Sequence, residues 1–187
     1  MVSITELWQP VLLSAGVVFV LSSVIHMVLG YHKNDFRSVP NEDKVADALR
    51  PFNIPPGDYC LPRAESMAQL KDPAFVAKVT KGPVALITIL PSGPPAMGAQ
   101  LVQWFLFSVL VSMFAAYIAG RAVGPGASYL DVHRFAGATA FACYSMGSIP
   151  ASIWYKKNWG TTLRGMFDGL IYGLMTGGVF GWLWPRG

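Results

Sequence analysis

The sequence has little charge. Of its 187 residues only 13% are charged, whereas 53% are hydrophobic, and a soluble domain has about 25% charged residues. The deficit lies in four long apolar runs, each near the roughly 20 residues that a helix needs to cross a bilayer. The runs predict an all-α integral membrane protein with four transmembrane helices. They cover residues 7–30, 98–120, 130–155 and 161–184.

The sequence also lacks the residues and motifs of several common chemistries. Two cysteines, Cys60 and Cys143, are too few for a disulfide framework. There is no HExxH, no pair of CxxC motifs, no phosphate-binding glycine loop and no pair of carboxylates spaced for acid–base catalysis. The motifs therefore give no support to an enzyme, to a metal site or to a bound cofactor.

The N-terminal run lacks the basic residues of a signal peptide. Residues 1–7 contain no Lys or Arg, and the apolar run that follows is long enough to span a bilayer. We therefore expect an uncleaved anchor, in which residues 1–31 form the first transmembrane helix with a short external N-terminus. Residues 98–187 are expected to form a bundle of the other three helices.

Positive charge is unevenly divided between the two sides that four spans define. One side, made of residues 31–97 and 156–164, holds eleven of the fourteen Lys and Arg residues, and the other side holds three. Because basic loops stay in the cytoplasm, we expect both termini outside and the loop 32–97 in the cytoplasm. The expected location is the inner (cytoplasmic) membrane of a bacterial cell.

The loop 32–97 contains ten of the fourteen prolines, yet local signals indicate ordered elements. Capping residues and helix-stopping residues predict short amphipathic helices over 41–51 and 72–82. The apolar segment 83–90 is too short to span and favours one short strand, or a segment along the membrane interface. As a strand, it is expected to pack within the loop more readily than to dock a partner. The loop is thus predicted to be a compact subdomain.

The net charge of +4 does not indicate nucleic-acid binding. Eight basic residues of the loop are matched by seven acidic ones, so the loop has no basic stripe for phosphates. The expected partners are the lipid bilayer and other membrane protein subunits, or a second copy of the chain.

Small residues recur at every fourth position of two apolar runs. Such stripes let helix backbones approach closely, which helps to hold helices together in lipid. We expect the fourth helix to pack on the second or third helix of the same chain, in preference to a homo-oligomer centred on the fourth. The stripes are Gly165, Gly169, Gly173, Gly177 and Gly181 in the fourth run and Ser108, Ser112, Ala116 and Gly120 in the second.

A polar ridge flanks the glycine stripe of the fourth run. An intramembrane charge is costly and indicates either a functional site or a polar contact that fixes helix packing. Arg164 is expected to pair with Asp168, one turn away. His26 of the first helix lies at a similar depth to Asp168, which allows a contact between the two. The ridge is formed by Arg164, Asp168, Tyr172 and Thr176.

Several functions stay open for this polar group. A contact between His26 and Asp168 suits a structural role best. A proton relay, an ion site, or ligation of haem or a chlorophyll-type pigment by His26 remain as alternatives. No cofactor is predicted beyond this weak indication.

The sequence favours a non-catalytic accessory or scaffolding subunit of an inner-membrane protein complex, assembled through small-residue helix faces and the loop. The alternative is a small channel or transporter, as a single chain or a homo-oligomer, with Asp168 and His26 on an ion or proton path. A membrane enzyme or cofactor carrier comes third, because it rests on His26 alone.

Overall fold

The structure is a computed structural model that describes residues 1–186. Helices account for 66% of the residues and strands for 5%, which confirms the prediction of a mostly helical protein. The chain divides into two compact units. The first combines Met1–Arg37 with Ala96–Gly187, and the second is the insertion Ser38–Pro95.

The first unit is a helical bundle, and the insertion combines two helices with two strands. A one-turn 3₁₀ helix, Ile4–Leu7, precedes the first α-helix. Another, Met146–Ser148, lies between the helix that ends at Ser145 and the helix that begins at Ile149. In chain order the elements are α1 Trp8–Met27, α2 Glu42–Leu49, β1 Gly57–Leu61, α3 Pro73–Lys81, β2 Ala85–Ile89, α4 Gly98–Ala122, α5 Tyr129–Ser145, α6 Ile149–Trp154 and α7 Trp159–Trp182.

Within residues 1–186, two helical stretches are both long and apolar enough to cross a membrane. They are Ile4–Met27 and Gly98–Ala122, each with a mean hydropathy of 2.0. The run predicted as one helix over 130–155 is instead divided, because Pro150 has no N–H to donate to the helix ladder. α7 has 24 residues, but its glycines and charged residues lower its hydropathy.

The small-residue face of α7 packs against α5, and the two helices run antiparallel. A Cβ added to Gly173 would lie 2.9 Å from the carbonyl oxygen of Gly137, and one added to Gly177 would lie 2.7 Å from that of His133. Gly169 and Gly181 meet the opposite ends of α5, whereas Gly165 has no such neighbour within 4 Å. Four of the five glycines therefore serve close packing inside the chain.

The corresponding face of α4 packs against α1 and the N-terminal segment. Ser108, Ser112, Ala116 and Gly120 are all buried. The hydroxyls of Ser14 and Ser112 lie 3.0 Å apart in a hydrogen bond between α1 and α4.

Gly120 shows how close this approach is. Its carbonyl oxygen accepts a hydrogen bond from the backbone N–H of Val2 at 2.9 Å. A Cβ added to Gly120 would collide with the carbonyl oxygen of Val2. The stripe of α4 is thus filled by the chain itself.

The interior of the bundle combines apolar and small side chains with a few hydroxyl groups, and its outer faces are apolar. Its centre contains the fully buried hydroxyls of Ser14, Ser108, Ser112 and Thr176. Large apolar side chains cover the outer faces of all four long helices. Exposed examples are Leu12, Leu13 and Val20 on α1, Leu106 and Phe114 on α4, Phe135 on α5, and Phe167, Leu170 and Leu174 on α7.

The insertion Ser38–Pro95 is built around a two-stranded antiparallel sheet. β1 pairs with β2 from Gly57↔Ile89 to Leu61↔Ala85, so the loop contains two strands and not one. The side chain of Asp72 caps α3 by accepting a hydrogen bond from the N–H of Ala74 at 2.8 Å. Phe75 is the only residue of this unit that is buried.

Candidate functional site

A turn after α1 carries three polar side chains back onto the end of the bundle. α1 ends at Met27, and Gly30 has a φ of +65°, a conformation that glycine adopts without strain. The ring of His32 then stacks on that of His26, with centroids 4.5 Å apart and planes 7° from parallel. The Nδ1–H of His26 donates to the carbonyl oxygen of Ser22 at 3.0 Å.

Asp168 of α7 lies beside this turn and is only 3% exposed. One carboxylate oxygen accepts a hydrogen bond from the hydroxyl of Tyr31. The other oxygen, Oδ2, lies 2.8 Å from Nε2 of His32. Both partners belong to the turn, and the hydrogen bond from Tyr31 lowers the cost of burying this carboxylate. Burial and the neighbouring Asp168 raise the pKa of the Tyr31 hydroxyl well above its ordinary value.

Asp35 lies on the opposite side of His32. Its Oδ2 accepts the Nδ1–H of His32 at 2.7 Å, and its Oδ1 accepts from Nε of Arg164 at 2.8 Å and from a second guanidinium nitrogen. Burial alone would raise the pKa of Asp35, but the hydrogen bonds from His32 and Arg164, with their charge, hold that pKa below its ordinary value.

Arg164 therefore pairs with Asp35 and not with Asp168, contrary to the expectation from their spacing. The turn after α1 places a second carboxylate within reach of the guanidinium, while Asp168 is already occupied by Tyr31 and His32. The resulting chain of contacts runs from Arg164 through Asp35 and His32 to Asp168.

The contact between His32 and Asp168 has an unusual direction. Nε2 of His32 is buried and 2.8 Å from the carboxylate, yet it makes no hydrogen bond, because its N–H direction misses the oxygen. His26, His32 and Asp168 each offer one ligand atom, and the three atoms lie within 4.8 Å of one another. These three residues are the group in the described chain that could hold a metal ion.

The other two residues of the predicted ridge lie deeper in the bundle. Tyr172 is 3% exposed and Thr176 is fully buried. The Tyr172 ring packs on those of Tyr144 and Trp104, with centroids 5.3 and 6.2 Å apart. The hydroxyls of Tyr144, Tyr172 and Thr176 have no hydrogen-bond partner in the described chain.

Tyr31, His32 and Asp35 were not predicted as site residues. Their signal was present in the stretch "YHKND", residues 31–35, which comes shortly after the end of α1 at Met27. Only the backward turn at Gly30 brings them together, and its direction does not follow from helical periodicity.

Comparison with protein families, with curated proteins and with solved structures finds no match to the chain. Function must therefore be argued from the bundle, its polar cluster and the insertion.

Proposed function

We propose that the chain is a four-span inner-membrane protein that acts as a non-catalytic accessory or scaffolding subunit of a membrane complex. The bundle anchors the chain in the bilayer. The insertion Ser38–Pro95 faces the cytoplasm and binds another subunit.

The distribution of polarity supports four spans. Large apolar side chains cover the outside of the bundle, which suits a lipid environment, and small residues line its helix contacts, as they do in membrane helices. α7 is about 36 Å long at about 1.5 Å per residue, enough to cross the hydrocarbon core. Asp168 meets its partners inside the bundle, as intramembrane charges generally do, and Arg164 pairs with Asp35 at the boundary of the bundle.

The orientation rests on the placement of basic residues. Eleven of the fourteen Lys and Arg residues fall on the side of the insertion, which favours a cytoplasmic insertion and external termini.

The apolar surface of the insertion is the observation that carries the proposed role. Phe75 is its only buried residue, while Phe52, Met67 and Leu90 are 73%, 80% and 72% exposed. The insertion therefore buries little apolar surface of its own, and packing on a partner would remove these side chains from water. A two-stranded sheet is also marginally stable alone, and each of its strands offers a free edge to a partner.

The glycine stripe is not the contact surface in this proposal. Four of its five glycines pack against α5, and the face of α4 packs against α1 and the N-terminal segment. Assembly with other subunits is therefore assigned to the insertion, in contrast to the small-residue faces that the sequence favoured.

Cross-linking from Cys60 tests the proposal. Cys60 is exposed on β1, and a Cys143→Ser chain carries it as the single thiol. A photoactivatable maleimide on Cys60 should cross-link one membrane-complex subunit in native membranes. The matched control attaches the probe at Asp43→Cys on the charged helix α2, in a chain that also carries Cys60→Ser and Cys143→Ser.

A partner captured from Cys60 and not from position 43 supports the subunit role. Cross-links to lipid alone, or to unrelated proteins equally from both positions, contradict it.

A small channel or transporter is the second candidate, and one observation favours it. The unpartnered hydroxyls of Tyr144, Tyr172 and Thr176 extend inward from the Asp168 cluster. Buried hydroxyls of this kind suit a path for water or ions. Ion or proton flux into liposomes containing the purified chain, abolished by Asp168→Asn, would support this candidate. Liposomes without chain-dependent flux would remove it.

A further inference from the structure

We propose that His26, His32 and Asp168 bind a divalent first-row transition-metal ion such as Zn²⁺ or Fe²⁺. This site is independent of the accessory-subunit role. Two imidazoles and one carboxylate suit these ions, whereas Mg²⁺ and Ca²⁺ prefer all-oxygen ligands.

The distances between the donor atoms fit one shared ion. Imidazole nitrogen and carboxylate oxygen bind Zn²⁺ at about 2.0–2.2 Å, so two ligands of one ion lie at most about 4.4 Å apart. The three donor atoms already lie within 4.8 Å of one another. The separation of 2.8 Å between Nε2 of His32 and Oδ2 of Asp168 suits adjacent ligands. Small side-chain rotations complete the site.

The remaining polar atom of each ligand has its own partner. Nδ1 of His26 donates to the Ser22 carbonyl at 3.0 Å, and Nδ1 of His32 donates to Asp35 at 2.7 Å. The second oxygen of Asp168 accepts from Tyr31. Metal-binding histidines are oriented in this way by a carbonyl or a carboxylate on the far nitrogen. Both Nε2 atoms are thereby left for an ion.

The contact between His32 and Asp168 is close but does not have the geometry of a hydrogen bond. A protonated His32 bridging Asp35 and Asp168 would point its Nε2–H at the second carboxylate, since hydrogen bonds prefer angles above about 150°. Nε2 is buried and makes no such bond. Two ligands that bind the same ion instead direct their lone pairs at a common point beside the line joining them.

The charges of the cluster also favour a cation. The cluster contains the carboxyl groups of Asp35 and Asp168 and the one guanidinium of Arg164, so its acidic groups outnumber its guanidinium groups. Unpaired buried charge is costly, and a divalent cation compensates it. His26 is an exposed residue, so the site opens onto the surface of the bundle near the end of α1.

Metal titration of the purified chain tests the site. The chain carries no polyhistidine tag, is held in detergent micelles, and is stripped with EDTA before desalting. Co²⁺ is followed by its visible absorption, and Zn²⁺ by competition with a chromogenic chelator. We expect one equivalent of either ion to bind, and an anaerobic Fe²⁺ titration then separates a zinc site from an iron site.

Three variants and one control locate the ion. His26→Gln and Asp168→Asn should each weaken Co²⁺ binding by at least about 100-fold, and Asp35→Asn by about 10- to 100-fold, the usual cost of losing a supporting partner. His133→Gln is the matched control, because His133 contacts Gly177 of α7, remote from Asp168. It should bind Co²⁺ as the unmodified chain does.

His26→Gln keeps the test decisive if Asp168→Asn does not fold, because His26 is exposed. Size-exclusion chromatography and circular dichroism confirm the fold of each variant. Failure of the stripped chain to bind Zn²⁺, Co²⁺ or Fe²⁺ overturns the proposal. So does an affinity that His26→Gln leaves unchanged, or one that His133→Gln reduces equally.

Discussion

The guanidinium of Arg164 binds the carboxylate of Asp35 and so ties α7 to the turn after α1, across 129 positions of sequence. The carboxylate is 12% exposed and the guanidinium 34% exposed. The pair therefore lies at the boundary of the bundle, where its charges are only partly screened by solvent.

We expect Asp35→Asn and Arg164→Gln each to lower the free energy of unfolding by about 1–3 kcal/mol, because each leaves a half-buried charge without its partner. The double variant should lose less than the sum of the single variants. The measurement is a double-mutant cycle of thermal unfolding in detergent, with EDTA present. Strict additivity would show that the two residues are not coupled.

Gly177→Ala should destabilise the bundle. The added Cβ would lie 2.7 Å from the His133 carbonyl oxygen, and such overpacking costs about 1–3 kcal/mol. Gly165→Ala is the control on the same stripe, because nothing lies within 4 Å of its Cβ position. It should be neutral or stabilising by up to about 1 kcal/mol through helix propensity. Equal losses at both positions, measured by thermal unfolding, would contradict this packing.

Thr176→Val removes a fully buried hydroxyl that has no partner in the described chain. Because the shape of the side chain is kept, stability should be unchanged or higher by up to about 1 kcal/mol. Ser112→Val is the contrasting variant, since it removes a hydroxyl bonded to Ser14, and it should be destabilising. A clear loss of stability in Thr176→Val would reveal a bound water at the hydroxyl and would strengthen the channel candidate.

Cys60 and Cys143 report the proposed orientation directly. In a bacterial expression host, a membrane-impermeant maleimide should label Cys60 in inverted vesicles and not in intact spheroplasts. Cys143 is exposed on α5, where lipid should shield it until detergent is added. Chains with a single thiol, Cys60→Ser or Cys143→Ser, separate the two signals. Labelling of Cys60 from outside would reverse the topology.

Composition and periodicity predicted much of the fold. The apolar runs located the long helices, and the signals at Asp72 and Gly82 located α3. The third run was predicted as one helix, whereas the structure divides it into two at Met146–Ser148. The sequence did not predict this division, since tertiary packing decides whether a proline kinks or ends a helix. The β1 strand was not predicted as a strand, because its pairing with β2 is a long-range contact.

The candidate site was only half predictable. Helical geometry placed His26 and Asp168 at one depth, and the structure brings their ligand atoms within 4.8 Å of each other and of His32. The partners from the turn could not be assigned in the same way. Gly30 has a positive φ and reverses the direction of the chain after α1. The periodicity of the flanking helix does not encode the direction that the chain then takes.

The residues of the polar cluster come from two distant parts of the sequence. His26, His32 and Asp35 precede the insertion, and Arg164 and Asp168 lie on the last helix. Synthesis proceeds from the N-terminus, so the histidines and Asp35 are made long before their partners on α7. The cluster closes only when α7 is in place. A chain truncated before α7 would therefore leave Asp35 without its guanidinium partner, which makes this contact a marker of a completed bundle.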